Sequence, residues 1–343
     1  MRIGITYNLK SDTASFSGPP ISKDLAEEFD LPETIDAIRQ VLSTDGHEVH
    51  LLGGDLSVIE KIKRLRIEFV FNMAEGFLGR SREAQVPAIL ELMAIPYSGS
   101  DPLGLAITLD KSLAKRMAIS LGIQTPEFWV LNGSTDLHQV PNRFPFFVKP
   151  LWQGSSIGIK LSSRAEDRSQ LEREVERLFE HYPDEPVLVE EYISGREVTV
   201  GILGSKSPEV LGVMEMTFRN AAQKDFCYSL EVKRNWKEEV EYHVPPKLEP
   251  AIEREIRDSA LRLFAALRLR DIARFDFRMN REGRVYFLEA NPLPGLSPES
   301  GDIVILARKK GLSHRELILK IAQAAFDRYP ELSQSKAKRQ TYG

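Results

Sequence analysis

The sequence predicts a parallel α/β domain followed by a mixed α+β body. In the first hundred residues, short apolar runs alternate with segments of helical periodicity, which indicates parallel strands joined by right-handed crossovers. Further along, strand-like runs follow one another around turns, with fewer helices between them. With 42% hydrophobic and 28% charged residues, the composition is that of an ordinary globular protein, and the length suggests two or three domains.

The first domain has short strands, and its helices carry recognisable start and stop signals. One helix has Pro32 near its start and Gly46 near its stop, the usual places for these two residues. The predicted strands are RIGITY, HEVHLLG, EFVFNM and IPYSGS, and the predicted helices are PETIDAIRQVLSTDG, LSVIEKIKRLR and REAQVPAILELMA.

The body begins with the helical segment PLGLAITLDKSLAKRMAISLG and ends with the helix SHRELILKIAQAAFDRY. The polar stretch 219–245 has weak periodicity, and the last residues, 336–343, are expected to form a flexible tail. Between the two terminal helices we predict the strand FPFFVKP, the loop WQGSSIGI, the helix DRSQLEREVERLFEHY, two strands in PVLVEEYISGREVTVGILG, the helix AIEREIRDSALRLFAALRL and the hairpin ARFDFRMNREGRVYFLEAN.

Charge and cysteine content exclude several classes of function. The net charge of −4 and the pI of about 6.0 indicate neither a nucleic-acid partner nor a membrane-surface partner. Cys227 is the single cysteine, so no internal disulfide can form and a cytoplasmic location is expected. No apolar run reaches the length of a membrane-spanning helix, and no arrangement supports a covalent protein nucleophile.

The hairpin near the C-terminus collects polar side chains on one face. If Met279 pairs with Arg284, then Arg274 lies opposite Glu289 and Asp276 opposite Phe287. Alternation along the strands then separates two groups. One face carries Arg274, Asp276, Glu289 and Asn291, and the other carries Phe275, Phe277 and Leu288 as candidate core residues.

Two carboxylates and an amide oxygen on one face suit a hard cation such as Mg²⁺. Without a cation, the two carboxylates would repel one another and the pKa of one would rise. A surface ion pair between Arg274 and Glu289 is the alternative, and such a pair contributes little to stability. The residues alone leave both interpretations open.

Candidate phosphate contacts precede this hairpin. Lys149 ends a strand just before a loop with Gly154, Ser155, Ser156 and Gly158, whose backbone N–H groups and hydroxyls could approach phosphate oxygens. Lys111 lies near the start of a helix, and Lys233 lies in the weakly patterned segment, where a mobile lid is plausible. The alternatives are an ordinary hairpin turn and solvated lysines.

The stretch LVEEYISGRE offers contacts for a nucleoside. A strand end can bond a purine edge through its backbone, and a carboxylate can hold ribose hydroxyls. A charged hairpin is the alternative interpretation. The candidate residues are Glu190, Glu191, Ile193 and Glu197.

The order of these motifs resembles that of the ATP-grasp superfamily, and more narrowly the D-alanine–D-alanine ligases. The motifs are LDK, FVKP with QGSSIG, VEEYISGRE, ARFDF and LEANPLPGLSPES, and the resemblance runs from about residue 84 to residue 313. It implies an ATP-grasp fold with an N-terminal Rossmann-like domain. The implied domains are a substrate domain (1–105), a central subdomain (106–187) and a C-terminal subdomain (188–335).

The resemblance also implies residue roles. Catalytic roles fall to Arg274, which would steady the tetrahedral intermediate, to the lid lysine Lys233, and to Ser155. ATP would contact Lys111, Lys149, Ser155, Ser156, Glu190, Glu191, Ile193 and Glu197. Two Mg²⁺ ions, with Mn²⁺ as a possible substitute, would bind Asp276, Glu289 and Asn291, and the second substrate would contact Gly295 and Ser300.

The implied reaction joins an acid and an amine through an acyl phosphate, as in peptidoglycan precursor synthesis, and the family implies a homodimer acting on amino-acid or peptide substrates.

The substrate half departs from the family pattern. No residue clearly matches the family's N-terminal glutamate, although Glu27, Glu28 and Glu33 are candidates, and FNMAEGFLGRSREAQ replaces the His-Gly and Gly-Glu-Asp-Gly runs. A ligase for other amino acids or peptides, and a non-catalytic ATP-binding regulator, therefore remain alternatives.

Overall fold

The computed structural model describes residues 1–11, 25–219, 230–330 and 332, so the predicted tail 336–343 lies outside the described residues. The strands there are β1 Arg2–Thr6, β2 Glu48–Leu51, β3 Phe69–Asn72, β4 Phe128–Leu131, β5 Phe146–Pro150, β6 Arg164–Ala165, β7 Val187–Glu191, β8 Gly195–Leu203, β9 Glu209–Phe218, β10 Val240–His243, β11 Ile272–Asn280 and β12 Val285–Asn291. The helices are α1 Pro32–Thr44, α2 Ser57–Leu65, α3 Arg82–Leu92, α4 Pro102–Leu109, α5 Lys111–Ser120, α6 Arg168–His181, α7 Leu230–Arg234, α8 Trp236–Glu239, α9 Pro250–Ala266, α10 Asp302–Lys309 and α11 His314–Phe326.

The first sheet confirms the predicted parallel α/β start. Its strands run in the order β2-β1-β3, and both pairings are parallel. Ile3 and Ile5 of β1 are fully buried, as expected for a central strand covered on both faces. The predicted strand IPYSGS is wrong, because it contributes only an isolated bridge between Val70 and Tyr97.

The predicted long helix at residues 102–122 is broken into α4 and α5. Asp110 lies between the two helices in an extended conformation, and its carboxylate accepts hydrogen bonds from Ser112 N at 3.1 Å and Leu113 N at 3.2 Å. An aspartate that caps a helix in this way favours a new start at that point. The break places Lys111 at the first position of α5, beside the cavity described below.

The second sheet has the strand order β4-β7-β5-β6, and all of its pairings are antiparallel. The predicted amphipathic helix covers it, and α6 buries Leu171, Val175 and Leu178 against the strands. The domain limits at 105 and 187 stay a prediction. Because β7 belongs to this sheet, we propose that the second limit lies after Glu191.

The third sheet is antiparallel, with the order β10-β9-β8-β11-β12. Strand β9 was missed from the sequence, although its EVLGVMEMTF run is rich in residues that favour strands. Helix α9 packs against one face through Ile256, Leu263 and Phe264. In the part of the chain that the structure describes, no helix is both long and apolar enough to cross a bilayer.

A buried charge ties the three regions together. Asp271 is fully buried and accepts hydrogen bonds from Arg328 at 3.0 Å and 2.7 Å, from Gly99 N at 2.8 Å, and from the Ser205 hydroxyl. Arg328 also donates to the Tyr97 carbonyl at 2.8 Å. The pair thus joins the end of the first domain, the loop after β8 and the segment after α11, and a charge buried in this way needs all its partners.

Replacing Asp271 with Asn should lower the free energy of unfolding by about 3 kcal/mol, because Arg328 would remain buried without its counter-charge. Asn tolerates the left-handed backbone at φ 65°, so the change tests the charge and not the backbone. Urea unfolding measures the difference. The exposed Asp258→Asn variant is the control, and equal stabilities of the two variants would contradict this account.

Candidate active site

One large cavity, of about 470 Å³, lies where the three sheets approach one another. Its wall draws on the second sheet, the third sheet and the N-terminal segment 27–34. Every residue predicted for the site lines it, although their roles stay predictions: Lys111, Lys149, Ser155, Ser156, Glu190, Glu191, Ile193, Glu197, Lys233, Arg274, Asp276, Glu289, Asn291, Gly295 and Ser300.

The hairpin between β11 and β12 has a different register from the predicted one. Arg274 pairs with Asn291, and Asp276 pairs with Glu289, two positions away from the expected partners. Below this point Phe277 pairs with Phe287, so Leu288 is an extra residue that forms a β-bulge. At the turn itself, Met279 pairs with Val285 and not with Arg284, so the turn is one residue longer than predicted. The bulge adds the second residue of the difference.

The bulge decides which side chains face the cavity. Before it, Val285 and Phe287 point into the core. After it, Glu289 and Asn291 line the cavity, and Ala290 takes the core side. Leu288, predicted as core, instead lines the cavity, because the extra residue switches the face of the strand. The four polar residues still share one side because the actual pairing shifts by two residues, which preserves the alternation.

Arg274 is the centre of the polar face. Its guanidinium donates to Asp276 at 2.9–3.2 Å, lies 3.4 Å from the Asp302 carboxylate and lies 4.0 Å from Glu289. Burial lowers the pKa of Arg274, but the surrounding carboxylates reverse this and raise it overall. Thr199 donates to Asp276 at 2.7 Å, which fixes that carboxylate further. The site therefore holds a permanent positive charge in a fixed place.

The donor set of this face fits a magnesium ion. Burial and the charge of Glu289 raise the pKa of Asp276, while Lys111, Lys149 and Arg274 overcome burial and lower that of Glu289. Two carboxylates lie at paired positions and Asn291 adds an amide oxygen, and Mg²⁺ prefers oxygen ligands of these kinds. The described residues contain no group of three or more His, Cys, Asp or Glu placed to hold a metal, so the amide or substrate oxygens would complete any shell.

A buried chain of charges supports the phosphate-facing lysine. Glu190 bonds Lys149 at 2.6 Å and Lys115 at 2.8 Å, and Lys115 also donates to Thr125 at 2.9 Å. Burial opposes ionisation of Glu190, but the two lysines lower its pKa to about 2. Burial lowers the pKa of Lys149, yet Glu190 and Glu289 raise it overall, so this lysine stays charged.

Lys111 enters the cavity from the start of α5. Its ammonium donates to the carbonyls of Gln153 and of Leu151, the latter at 3.5 Å, at the base of the glycine-serine loop. Burial lowers the pKa of Lys111, and Glu289 only partly offsets this effect. The two lysines give this end of the cavity its positive charge.

The glycine-serine loop adopts an unusual backbone. Ser155 and Ser156 have φ values of 51° and 60°, in the left-handed region that non-glycine residues rarely adopt. Successive residues in such conformations turn N–H groups inward and favour anions. The Gly154 N–H donates to the Glu28 carboxylate at 2.9 Å, and Arg82 bonds the same carboxylate at 2.7 Å. A Cβ on Gly154 would lie 2.4 Å from Glu28 Oε1, so a larger residue would displace this carboxylate from its bond to the loop.

The candidate nucleoside end contains an arginine that the sequence did not single out. Arg278 lies 3.5 Å from Glu197 and packs over the Tyr192 ring at 5.0 Å. Burial, partly opposed by Arg278, raises the pKa of Glu197 to about 7. Glu191 and Ile193 line the same wall.

The amine-side residues lie at the opposite edge. Ser300 is exposed and donates its hydroxyl to Ser297 at 3.1 Å, and Gly295 has open space around its Cα. Lys233 lines the cavity from α7, where burial lowers its pKa while Asp302 acts in the other direction. Residues 220–229 of the predicted lid lie outside the described residues.

Sequence reasoning missed Lys115, Arg278, Asp302 and Asp110. Lys115 could have been found, because it lies four residues after Lys111 and therefore on the same helix face. Asp110 could also have been found, because an aspartate just before a helical segment is a typical N-cap. Arg278 and Asp302 interact with residues distant in sequence, and no local pattern marks them. Of the candidate first-substrate glutamates, Glu27 and Glu28 line the cavity, whereas Glu33 is exposed on α1.

Comparison with known proteins gives a consistent result. A family model described as the C-terminus of D-ala D-ala ligase matches residues 119–323. An uncharacterised protein of Sinorhizobium fredii is 34% identical over 302 residues, covering 86% of this chain and 88% of the relative. A D-alanine–D-alanine ligase of Aquifex aeolicus is 33% identical over 283 residues, covering 82% and 91%. The ATP complex of the Bacillus anthracis D-alanine–D-alanine ligase shares the fold, with a TM-score of 0.71 and 22% identity over 96% of this chain and 99% of that one.

The charge chain through Glu190 predicts a pH-dependent stability. Because its pKa falls from 4.5 to about 2 on folding, Glu190 stabilises the fold above pH 4.5, and this contribution disappears as the pH falls towards 2. Glu190→Gln should cost about 3 kcal/mol at pH 6, and the cost should shrink below pH 4.5. Urea unfolding at several pH values measures it. The exposed Glu176→Gln variant should show no such trend, and a cost for Glu190→Gln that is constant with pH would contradict the charge chain.

Proposed function

Because the chain belongs to the D-alanine–D-alanine ligase family, we propose that it joins two amino acids, D-alanine among them, through an acyl-phosphate intermediate. It is an ATP-dependent ligase that forms carbon–nitrogen bonds, the activity of the family in cell-wall precursor synthesis. The observation that carries the proposal is the fixed charge of Arg274 among Asp276, Glu289 and the two lysines Lys111 and Lys149 in one cavity.

In the proposed reaction, the carboxylate of one amino acid attacks the γ-phosphorus of ATP, giving an acyl phosphate and ADP. The amino group of the second, once deprotonated, attacks the acyl carbon, and inorganic phosphate leaves. Lys111 and Lys149 bind and orient the phosphates, and Ser155 and Ser156 close over them with backbone N–H groups. Arg274 faces the oxyanion that develops in the second step, where a preorganised charge acts most strongly.

The remaining roles follow the same proposal. Asp276, Glu289 and Asn291 would hold Mg²⁺, which neutralises the charge of the triphosphate when bound. The adenine would lie against Glu190, Glu191 and Ile193, and the ribose against Glu197. Because Glu190 bonds two lysines, it would contact adenine only through its backbone. Lys233 would close the site from above, and Gly295 and Ser300 would hold the second carboxylate.

The family's homodimer and a cytoplasmic location are part of the same proposal. The comparisons do not favour the two alternatives raised from the sequence, which are a related ligase that joins other amino acids or peptides and a non-catalytic ATP-binding regulator. Two relatives named D-alanine–D-alanine ligase align with 82% and 84% of this chain. The cavity also contains the carboxylates, the lysines and the arginine that the proposed reaction uses.

Purified protein with ATP, Mg²⁺ and D-alanine should release phosphate and form the dipeptide, because the cavity holds groups for both steps. A coupled phosphate assay and mass spectrometry of the product measure the two outcomes. Phosphate release with another amino acid, but none with D-alanine, would contradict the substrate assignment. ATP binding without product from a broad panel of amino acids would contradict the ligase itself.

Replacing Glu289 with Ala should lower the turnover number at least about a hundredfold, because the metal-bound triphosphate would lose a carboxylate that no neighbour replaces. The control is Glu282→Ala, which changes an exposed glutamate in the turn of the same hairpin. Thermal unfolding verifies that both variants fold. Turnover by Glu289→Ala close to that of the control would remove Glu289 from the metal site.

A further inference from the structure

Three carboxylates line the end of the cavity that the N-terminal domain contributes. Asp30 lies in the N-terminal segment 27–34, Glu75 lies after β3, and Glu83 lies in the first turn of α3. Glu83 is only 8% exposed, yet it borders the cavity. Glu75 stands in the segment that departs from the family pattern, where the family has its His-Gly pair.

Within the described residues, these three carboxylates have neither a hydrogen bond nor an ion pair. Their neighbours differ from them in this respect. Glu27 is bonded by Lys10 at 2.7 Å and by Arg234 at 2.9 Å, and Glu28 is bonded by Arg82 at 2.7 Å. A buried carboxylate without a partner is costly, and among the described residues this end of the cavity has more carboxylates than cations bonded to them.

The pKa values of the three carboxylates agree with a lack of bonded cations around them. Burial raises the pKa of Asp30 to about 7 against the opposing charge of Lys10, and burial raises that of Glu83 to about 7 against Arg82. Burial and then the charge of Glu83 raise the pKa of Glu75 well above its ordinary value. Of the cations nearby, Arg82 is bonded to Glu28, and Lys111, which acts on Glu83, faces the proposed phosphates. Nucleotide binding would therefore leave the cluster more negative.

The position of the cluster excludes some occupants. In the described residues, no group of three or more His, Cys, Asp or Glu is placed to hold a metal ion, so the three carboxylates do not form a metal site by themselves. A side recess of about 30 Å³ continues from the cavity and shares Glu28, Asp30 and Glu75 with it. A space of this size accepts a group no larger than a water or an ammonium. The missing charge is therefore expected on a small organic cation.

We propose that this acidic end selects an amino-acid substrate with a second ammonium group, held by Glu75 and Glu83 beyond the α-ammonium. One α-ammonium would neutralise one carboxylate and leave the others unpaired, whereas a diamino acid supplies the further charge. The substrate class is thus a short diamino acid. The inference rests on the proposed function. According to it, D-alanine binds to this end of the cavity more weakly than a diamino acid does.

Binding tests the inference independently of turnover. Calorimetric titration of the protein, with Mg²⁺ and a non-hydrolysable ATP analogue, compares each enantiomer of ornithine with the same enantiomer of norvaline, which has the same carbon chain without the terminal amine. For one enantiomer, ornithine should bind at least about tenfold more tightly, the usual effect of one charged hydrogen bond. Glu75→Gln and Glu83→Gln should each reduce this ratio severalfold, and the exposed Glu60→Gln control should leave it unchanged.

The variants are expected to fold. Because Glu83 has a raised pKa in the fold, its ionisation opposes folding at neutral pH, and Glu83→Gln should melt at the same or a higher temperature. Equal affinities for ornithine and norvaline, or binding of neither, would overturn the inference. If D-alanine is turned over in that case, the proposed ligase function survives. Selective ornithine binding without any phosphate release would instead support the acidic site and refute the ligase.

Discussion

The structure of the site depends on the position of β11 between two partners. This strand pairs with β8 along its whole length on one side and with β12 on the other, so it cannot slip without breaking both ladders. Phe275 and Phe277 are fully buried on its core face, where each contributes about 2–3 kcal/mol of hydrophobic stabilisation. Strand alternation then leaves its polar residues on the cavity side, including Arg274 and Asp276.

The fixed strand also explains why charges can be buried here. Desolvation alone would neutralise most of these groups, and several of them are kept ionised by an opposite charge held at a bonding distance. Lys149 keeps its charge through Glu190, and Arg274 keeps its charge through Asp276. A preorganised field of this kind suits a reaction in which negative charge moves from a phosphate to an oxyanion, because little reorganisation is needed during the step.

The cavity has two ends of opposite character. Lys111 and Lys149 make the nucleotide end positive, and Asp30, Glu75 and Glu83 make the N-terminal end negative. Glu28 lies between these ends, and through its bond to the Gly154 N–H it joins the N-terminal segment to the glycine-serine loop. One carboxylate therefore contacts the glycine-serine loop and lines the cavity at its acidic end.

The sequence by itself determined most of the alternation of strands and helices, the hairpin 272–291 and the predicted site residues that line the cavity, because these depend on local periodicity and on the order of motifs. It did not determine the register of the hairpin, because no local pattern marks the longer turn or the bulge that lets both Phe287 and Ala290 reach the core. It also could not reveal Asp271 with Arg328, or Arg278 with Glu197. Those contacts join residues far apart in the chain, and only the folded arrangement decides which charges meet and which remain without a partner.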